Sequence, residues 1–588
     1  MHRIRRAAVA SVLLLFGCGG GDFPPHSEGE RTSDHEAVAG ESEIGGKMHR
    51  YLSAMEALGF SGAIIVTHDG EVVLREGYGL ADRDTRRPYT PSTVQTHGSI
   101  TKQMTGAAIL LLETRGALSV DDPIHLYFDR LPEDKRAITI HQLLTHSSGL
   151  PGGVGPDDEP IQARAYVERV MGTSLQFEPG TGYAYSNPGY ALLGRIVERV
   201  SGMGYEAFLR NEFLLPGGLA ETGYVLPEWD RDRMALGYLD GELWGVVHGR
   251  GWLDDGPNWH LRANGGLHTT VDDMNRWLNT VRGRGVLDAE ATRRWTTGYV
   301  TEGPSDSEYA YGWEVRDTQW GPMIAHNGSN RVFSADFVWL PEPDVFFYIQ
   351  GNTSMIAAER QRGPLLAAAF DPGFLMPPLV EPDAEARPEA AREREGDYHL
   401  DGALMELTAD DTRLVARVSG QSALDLMLSP AEEKRQHLAN LTERTMAAME
   451  RLKAGQEDAL AGMVDEDQDP VPPTRILLDR ISQIGNLQSL NLVGSFENRP
   501  GSPLAEFGPW TTFVHARFEN WNQYWNMVWN RDGTYRGTFS GPWPTFILIP
   551  TTEGGYTGVR DGPPWDTIEL RFEDGCLVVA DRRACMED

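Results

Sequence analysis

From Phe60 to Tyr78 apolar and polar positions alternate. Gly62-Ala-Ile-Ile-Val66 and Val72-Val-Leu74 flank His68-Asp-Gly70. A period of two broken by Asp-Gly predicts a β-hairpin. At Ile100 the period changes, and Met104, Ala107, Ala108, Leu111 and Leu112 recur at helical spacing until the turn Leu118-Ser-Val-Asp-Asp-Pro123. Ile138–Leu150 predicts a short helix that ends at Gly149 and Pro151. Pro179-Gly180 and Pro188-Gly189 make Phe177–Tyr190 a loop, and Ala191–Val200 reads as the next helix. Asn264-Gly-Gly is a turn into a helix with Thr270 as its N-cap. Met323–Ala325 leads into His326-Asn327-Gly328, followed by strands over Val332–Leu340 and Val345–Gln350. This stretch predicts a sheet edge beside a cleft.

After about Pro372 the composition shifts, and Pro377–Glu395 reads as a linker rich in Pro, Glu, Ala and Arg. Asp397–Leu400 and Leu404–Leu428 are strand-like. Leu438, Leu441, Met446, Met449, Leu452 and Leu460 recur every three or four residues, which predicts a helix over Ala431–Ala461. A second helix from Arg475 leads into Ile484–Val493, then strands Thr511–Phe518, Asn522–Trp529, Gly537–Ile549 and Ile568–Ala580. Trp510, Phe513, Phe518, Trp521, Tyr524, Trp525, Trp529 and Trp543 crowd this end. They are either the core of a sheet or a stacking platform for a sugar or peptidoglycan ligand. No internal repeat is found.

The N-terminus follows a different pattern. His2-Arg-Ile-Arg-Arg6 is basic, and the apolar run Ala7–Phe16 is too short to span a bilayer. Residues 1–17 read as an export signal, and Leu15-Phe-Gly-Cys18 resembles a bacterial lipobox that leaves Cys18 to be acylated. Residues 18–47 read as a flexible tether rich in Gly, Pro, Ser and Glu. These features predict an exported, membrane-anchored lipoprotein facing the periplasm, held to the membrane through its lipid alone. A formal net charge of −32 argues against nucleic acid as a partner. Cys576 and Cys585 form a disulfide after export or remain buried thiols.

Candidate chemistry starts at Ser99 and Lys102. Residues three apart on a helix share a face, so the Lys102 amine reaches the Ser99 hydroxyl. Serine needs a base to become a nucleophile, and a desolvated lysine can serve. The chain has only Lys47, Lys102, Lys135, Lys434 and Lys453, while arginine fills its other basic positions. Arginine cannot give up its proton. In the loop before Ala191, Tyr185 can shuttle a proton, partly as phenolate, and Asn187 can bind a substrate carbonyl or orient the lysine. Gly328 lets a substrate lie against backbone.

Ser99-x-x-Lys102, Tyr185-x-Asn187 and His326-x-Gly328 stand in the order of the three signature motifs of the serine β-lactamase and penicillin-binding-protein superfamily. With Leu143-Leu-Thr-His-Ser-Ser-Gly-Leu150 and Tyr185–Gly194, residues 48–375 resemble its class C β-lactamase-like branch of esterases and D-peptidases. The resemblance implies a mixed α/β (α+β) fold: an antiparallel sheet flanked by helices, with a helical subdomain. It assigns Ser99 as the nucleophile of an acyl-enzyme, Lys102 as its base and Tyr185 as a partner in proton transfer. Asn187, His326, Gly328 and Ser329 become substrate-binding, with the amides of Ser99 and Ser329 as the oxyanion hole. Histidine stands at 326 where many β-lactamases carry lysine. An imidazole holds a substrate carboxylate less firmly at pH 7, which favours esters, amides or D-amino-acid peptides over β-lactams. A β appendage within 376–430 and a smaller α+β domain at 431–588 complete the expected plan. Within the latter, about 432–560 resembles the nuclear-transport-factor-like cone.

Alternatives lack anchors. There is no Gly-x-Ser-x-Gly elbow, and His97, His125, His141, His146 and His268 are scattered without a zinc-binding spacing. They read as makers of local hydrogen bonds, and no metal or cofactor is expected. Two functions remain: a serine hydrolase acting on a small molecule or peptide, or a tethered ligand sensor on the same scaffold. The oligomeric state is not legible.

Overall fold

A computed structural model describes residues 43–302, 306–464, 471–498, 504–505, 507–519, 522–540, 545–552, 554–560, 562 and 565–586. The export signal, Cys18 and most of the tether lie outside the described residues, as do Trp521 and Trp543. The described residues fall into two compact units, one ending at Pro372 and one starting at Gly373.

The first unit is built on an eight-stranded antiparallel sheet. The hairpin forms as its alternation predicts, with β1 (Gly62–His68) and β2 (Glu71–Tyr78) joined through Asp69 and Gly70, both at positive φ. The other strands are β3 (Val300–Thr301), β4 (Glu308–Tyr309), β5 (Glu314–Thr318), β6 (Gly321–Asn330), β7 (Phe333–Leu340) and β8 (Val345–Gly351). Their order is β2-β1-β8-β7-β6-β5-β4-β3. Residues Ala63–Val66 and all of β8 are buried, as expected for strands covered on both faces. The residues from Met323 to Gly328 are therefore strand themselves, continuous with the hairpin that follows.

Against this frame packs α1 (Thr101–Thr114), whose residues 101–112 are all buried. A helix buried on every side belongs inside a core. Most of its polar groups find partners there, the Gln103 side-chain nitrogen being an exception. Thr101 Oγ1 donates to Gly98 O at 2.8 Å, and Thr105 Oγ1 to Ala263 O at 2.6 Å. Gln103 Oε1 accepts from Trp277 Nε1 at 3.0 Å. These bonds fix the rotation of the helix, and so the direction in which Lys102 points. A second helix, α2 (Asn187–Ser201), packs beside it and starts four residues before the expected Ala191. Ser186 is the N-cap, its Oγ accepting from Gly189 N at 3.2 Å, and Pro188 fits the first turn, where no amide partner is needed.

The second unit contains a closed antiparallel barrel of eight strands. Its first three strands are Gly396–Leu400, Ala403–Asp410 and Arg413–Ser419, and its last five run from Thr545–Pro550 to Arg582–Met586. Gln421–Leu428, expected as strand, is a helix: Gly420 at φ 99° breaks the strand, and Ala423, Leu424, Leu426 and Met427 are buried. Between the two groups of barrel strands lie the helices Glu432–Lys453 and Val471–Ile484 and a four-stranded sheet. The expected single strand Gly537–Ile549 is divided: Tyr535–Ser540 closes the four-stranded sheet, and Thr545–Pro550 enters the barrel. Phe513, Phe518, Trp525 and Trp529 are buried in cores, which favours the packing reading of these aromatics. Cys576 and Cys585 lie opposite one another on neighbouring strands and are joined by a disulfide.

Candidate active site

Two glycines bring the site together. Gly98 takes φ +55° and turns the chain into a 3₁₀ segment, Gly98–Ile100, that leads into α1. Ser99 sits on this turn. Opposite it runs β6, which pairs with β5 only as far as Ala325 while β7 stays paired to Asn330. A β-carbon on Gly98 would lie 2.4 Å from Ser329 N, and one on Gly328 2.7 Å from Ser99 N. Real side chains cannot stand that close. The glycines therefore let the amides of Ser99 and Ser329 approach each other, the arrangement an oxyanion requires.

Lys102 is fully buried. Its Nζ lies 3.0 Å from Ser99 Oγ, 2.8 Å from Asn187 Oδ1 and 2.7 Å from Asn264 O. Burial pushes its pKa well below the ordinary lysine value. A neutral amine has two hydrogens and one lone pair. Asn264 O accepts only, and so does Asn187 Oδ1, so the two hydrogens go there and the lone pair is left for the Ser99 proton. An amine so placed can accept the proton of the Ser99 hydroxyl.

Tyr185 and Tyr190 border the amine. Lys102 Nζ lies 4.8 Å from the Tyr185 ring centroid and 5.6 Å from that of Tyr190. Burial pushes the Tyr185 phenol above its ordinary pKa, and a hydrogen bond with Ser99 only partly opposes this. Burial thus favours the neutral phenol over the partial phenolate expected for a tyrosine near a lysine, because desolvation outweighs its neighbours.

His326 lies on β6, two residues before Gly328. Its Nδ1 lies 2.5 Å from Asn327 O, and its Nε2 2.9 Å from the Tyr309 hydroxyl. A carbonyl cannot donate, so Nδ1 carries the proton and Nε2 accepts from Tyr309. Burial and the nearby Lys102 push the imidazole down to about 3. Both nitrogens are engaged within the protein. Gly328 and the exposed Ser329 present the backbone of this strand.

The structure thus brings Ser99, Lys102, Tyr185, Asn187, His326, Gly328 and Ser329 into one site, while Cys576 and Cys585 belong to the second unit. The remaining histidines divide. His125 faces Arg136 O at 3.0 Å, His141 the Tyr311 hydroxyl at 2.8 Å and His268 Gly266 O at 2.9 Å. His97 is buried with neither ring nitrogen hydrogen-bonded. Among the described residues no group of three or more His, Cys, Asp and Glu is arranged to hold a metal. Also among them, no helix is long and apolar enough to cross a membrane.

Three site residues escaped sequence reasoning. Asn264 acts through its backbone carbonyl, which no side-chain pattern reveals, although the Gly265-Gly266 pair beside it marked a special turn. Tyr309 lies on a strand of two residues. His146, within Leu143–Leu150, contributes an imidazole to the loop that carries Tyr185.

A family model described as Beta-lactamase matches residues 53–369. Penicillin-binding protein 4* of Bacillus subtilis (strain 168) is 24% identical over 426 residues, 65% of this chain and 89% of the relative. Protein flp of Staphylococcus aureus (strain NCTC 8325 / PS 47) is 26% identical over 303 residues, 49% of this chain and 59% of flp. Among solved structures, the octameric penicillin-binding protein homologue from Pyrococcus abyssi aligns with a TM-score of 0.49 at 20% identity. That alignment covers 92% of this chain and 99% of the homologue. D-amino acid amidase from Ochrobactrum anthropi SV3, complexed with D-phenylalanine, aligns with a TM-score of 0.49 at 22% identity. It covers 56% of this chain and 98% of the amidase.

Proposed function

We infer the activity of this chain from the premise that it belongs to the beta-lactamase family. It is a serine hydrolase of that family. We assign it the cleavage of an ester or amide bond through an acyl-enzyme on Ser99.

The reaction runs in two halves. Ser99 Oγ attacks the carbonyl carbon as its proton passes to Lys102 Nζ. The carbonyl oxygen becomes an oxyanion between the amides of Ser99 and Ser329. As the tetrahedral species collapses, the leaving group departs with a proton from Lys102, relayed through Tyr185. Water then attacks the ester, gives a proton to the same pair of side chains, and releases the acid while Ser99 recovers its hydrogen. The observation that carries this reading is Lys102 Nζ at 3.0 Å from Ser99 Oγ, with its other two contacts on oxygen acceptors.

For the substrate, the engaged nitrogens of His326 support neutral acyl donors, esters and amides including D-amino-acid peptides, over carboxylate-bearing β-lactams. For location, the basic and apolar leader, Cys18 and the Cys576–Cys585 disulfide support export and a lipid anchor at the membrane.

Incubation with a fluorophosphonate tests the chemistry. Label on Ser99 that is absent in Ser99→Ala, together with turnover of a p-nitrophenyl ester or a D-amino-acid amide, is the expected result. A folded chain that binds such ligands without label or turnover would instead be a ligand sensor. Fractionation tests the anchor: Cys18→Ala should move the protein from membrane to soluble fractions.

A further inference from the structure

The segment from His146 to Gly152 cradles the loop that carries Tyr185 and Asn187. Gln176 N donates to Gly149 O, Gly180 N to Ser147 O, Ala184 N to His146 O and Asn187 N to Gly152 O. Ser186 Oγ donates to Pro151 O at 2.8 Å. Each of these acceptors is a backbone carbonyl, which any residue supplies. One acceptor in the set is a side chain: Ser186 N donates to His146 Nδ1 at 3.0 Å.

That bond determines the state of the imidazole. A backbone amide only donates, so Nδ1 has no proton and Nε2 carries it. Nε2 is buried without a hydrogen-bond partner. Around it stand the rings of Tyr185, Tyr309 and Tyr190, with centroids 4.3, 4.4 and 5.1 Å from that of the imidazole. Leaving a buried donor unmet is unfavourable, and His146 itself sits at φ +56°, a region few side chains adopt. Against both penalties stands one contact: the hydrogen-bonded ring nitrogen grips the residue between Tyr185 and Asn187.

We propose that His146 is a positioning residue of the hydrolase. Its Nδ1 holds the Ser186 amide, and so sets Tyr185 against Ser99 and Asn187 against Lys102. The proposal rests on the acyl-enzyme reading above for its kinetic consequences, though not for the contact itself.

Two amides of the same chemistry separate the acceptor from the ring. The Asn side chain places an oxygen where Nδ1 stands, and asparagine tolerates positive φ. Glutamine reaches instead to the Nε2 position. Glycine fits the backbone and offers no acceptor. In His146→Gly and His146→Gln, the rate of fluorophosphonate labelling of Ser99 and kcat on a p-nitrophenyl ester should fall about 100-fold, the order that misplacement of a reacting group produces. KM should stay within about threefold. His146→Asn should recover both rates to within about threefold of the parent.

Hydrogen–deuterium exchange gives a readout independent of turnover. The peptide spanning residues 184–188 should lose protection in the Gly and Gln variants and keep it in the Asn variant. Parental rates and protection in His146→Gly would overturn the proposal. Equal damage in the Asn and Gln variants would also overturn it, assigning the effect to ring packing. A parent protein that fails to label at Ser99 would defeat the hydrolase reading alone, and the exchange data would still decide the role of His146.

Discussion

Lys102 and Asn264 are joined by a hydrogen bond of 2.7 Å from the lysine Nζ to the asparagine backbone carbonyl. Its other two contacts are Asn187 Oδ1 and Ser99 Oγ, so none of the three is a carboxylate. Neutral acceptors fix the amine in place without stabilising its charge as an anion would, and burial then favours the free base. The surroundings of Lys102 thus favour the neutral amine that its proposed role as base needs.

Replacing that base tests the assignment. Lys102→Arg keeps a long cationic chain but removes the ability to accept a proton. Positioned proton transfer contributes about 10²–10⁴-fold, and the Ser99 labelling rate should fall by that order. Circular dichroism checks that the variant remains folded. Labelling within tenfold of the parent would exclude Lys102 as the base.

The pH profile follows from the same residue. With Lys102 as the proposed base, activity requires its neutral form, so kcat/KM should rise with pH along one ionisation and level off well below the ordinary lysine value. His326 is pushed down to about 3 and stays neutral over this range. The midpoint of the rise should therefore be the same in His326→Asn, whatever that variant does to the plateau. A midpoint that moves by a full unit would reassign the ionisation to the imidazole.

How much of this was legible in the chain depends on which atoms carry the information. Ser99, Lys102, Tyr185 and Asn187 were readable because their chemistry needs particular side chains at particular spacings. The Asn264 carbonyl was not, since backbone oxygens are the same in every residue. The hairpin at Asp69-Gly70 was readable from local alternation. The barrel was not, because Arg413–Ser419 pairs with Thr545–Pro550 across an insertion of more than a hundred residues. Such pairing is a long-range event that local pattern does not encode. The helix at Gln421–Leu428 is hidden for a different reason: eight largely apolar residues fit either period, and only Gly420 marks the change.

Stability should depend on pH through His97. Burial pushes its folded pKa down to about 3, while the unfolded chain titrates near 6.5. As pH falls below 6.5 the unfolded state takes the proton first, so stability complete above 6.5 declines towards pH 3. The slope is about 1.4 kcal/mol per pH unit. Asp273, raised to about 6, acts in the opposite direction between about pH 6 and 4. Comparing the parent with His97→Asn cancels that contribution, and denaturant unfolding between pH 6 and 4 should be flatter in the variant by about the stated slope. Parallel slopes would mean that His97 does not remain neutral in the fold.

The close approach of β6 to the Ser99 turn makes Gly328 a test of the oxyanion site. A β-carbon there would lie 2.0 Å from His97 O and 2.7 Å from Ser99 N, both backbone atoms that no rotamer change can clear. In Gly328→Ala the strand must move outward, carrying the Ser329 amide with it. Loss of one oxyanion donor typically lowers the rate about 10²–10³-fold, and kcat on an activated ester should fall by that order. Gly46 supplies the control, since a β-carbon on it meets nothing within 4 Å; Gly46→Ala should leave kcat as it is. If Gly328→Ala kept parental kcat, the Ser329 amide would not be the second oxyanion donor, and the donor would have to be sought among groups that do not move with β6.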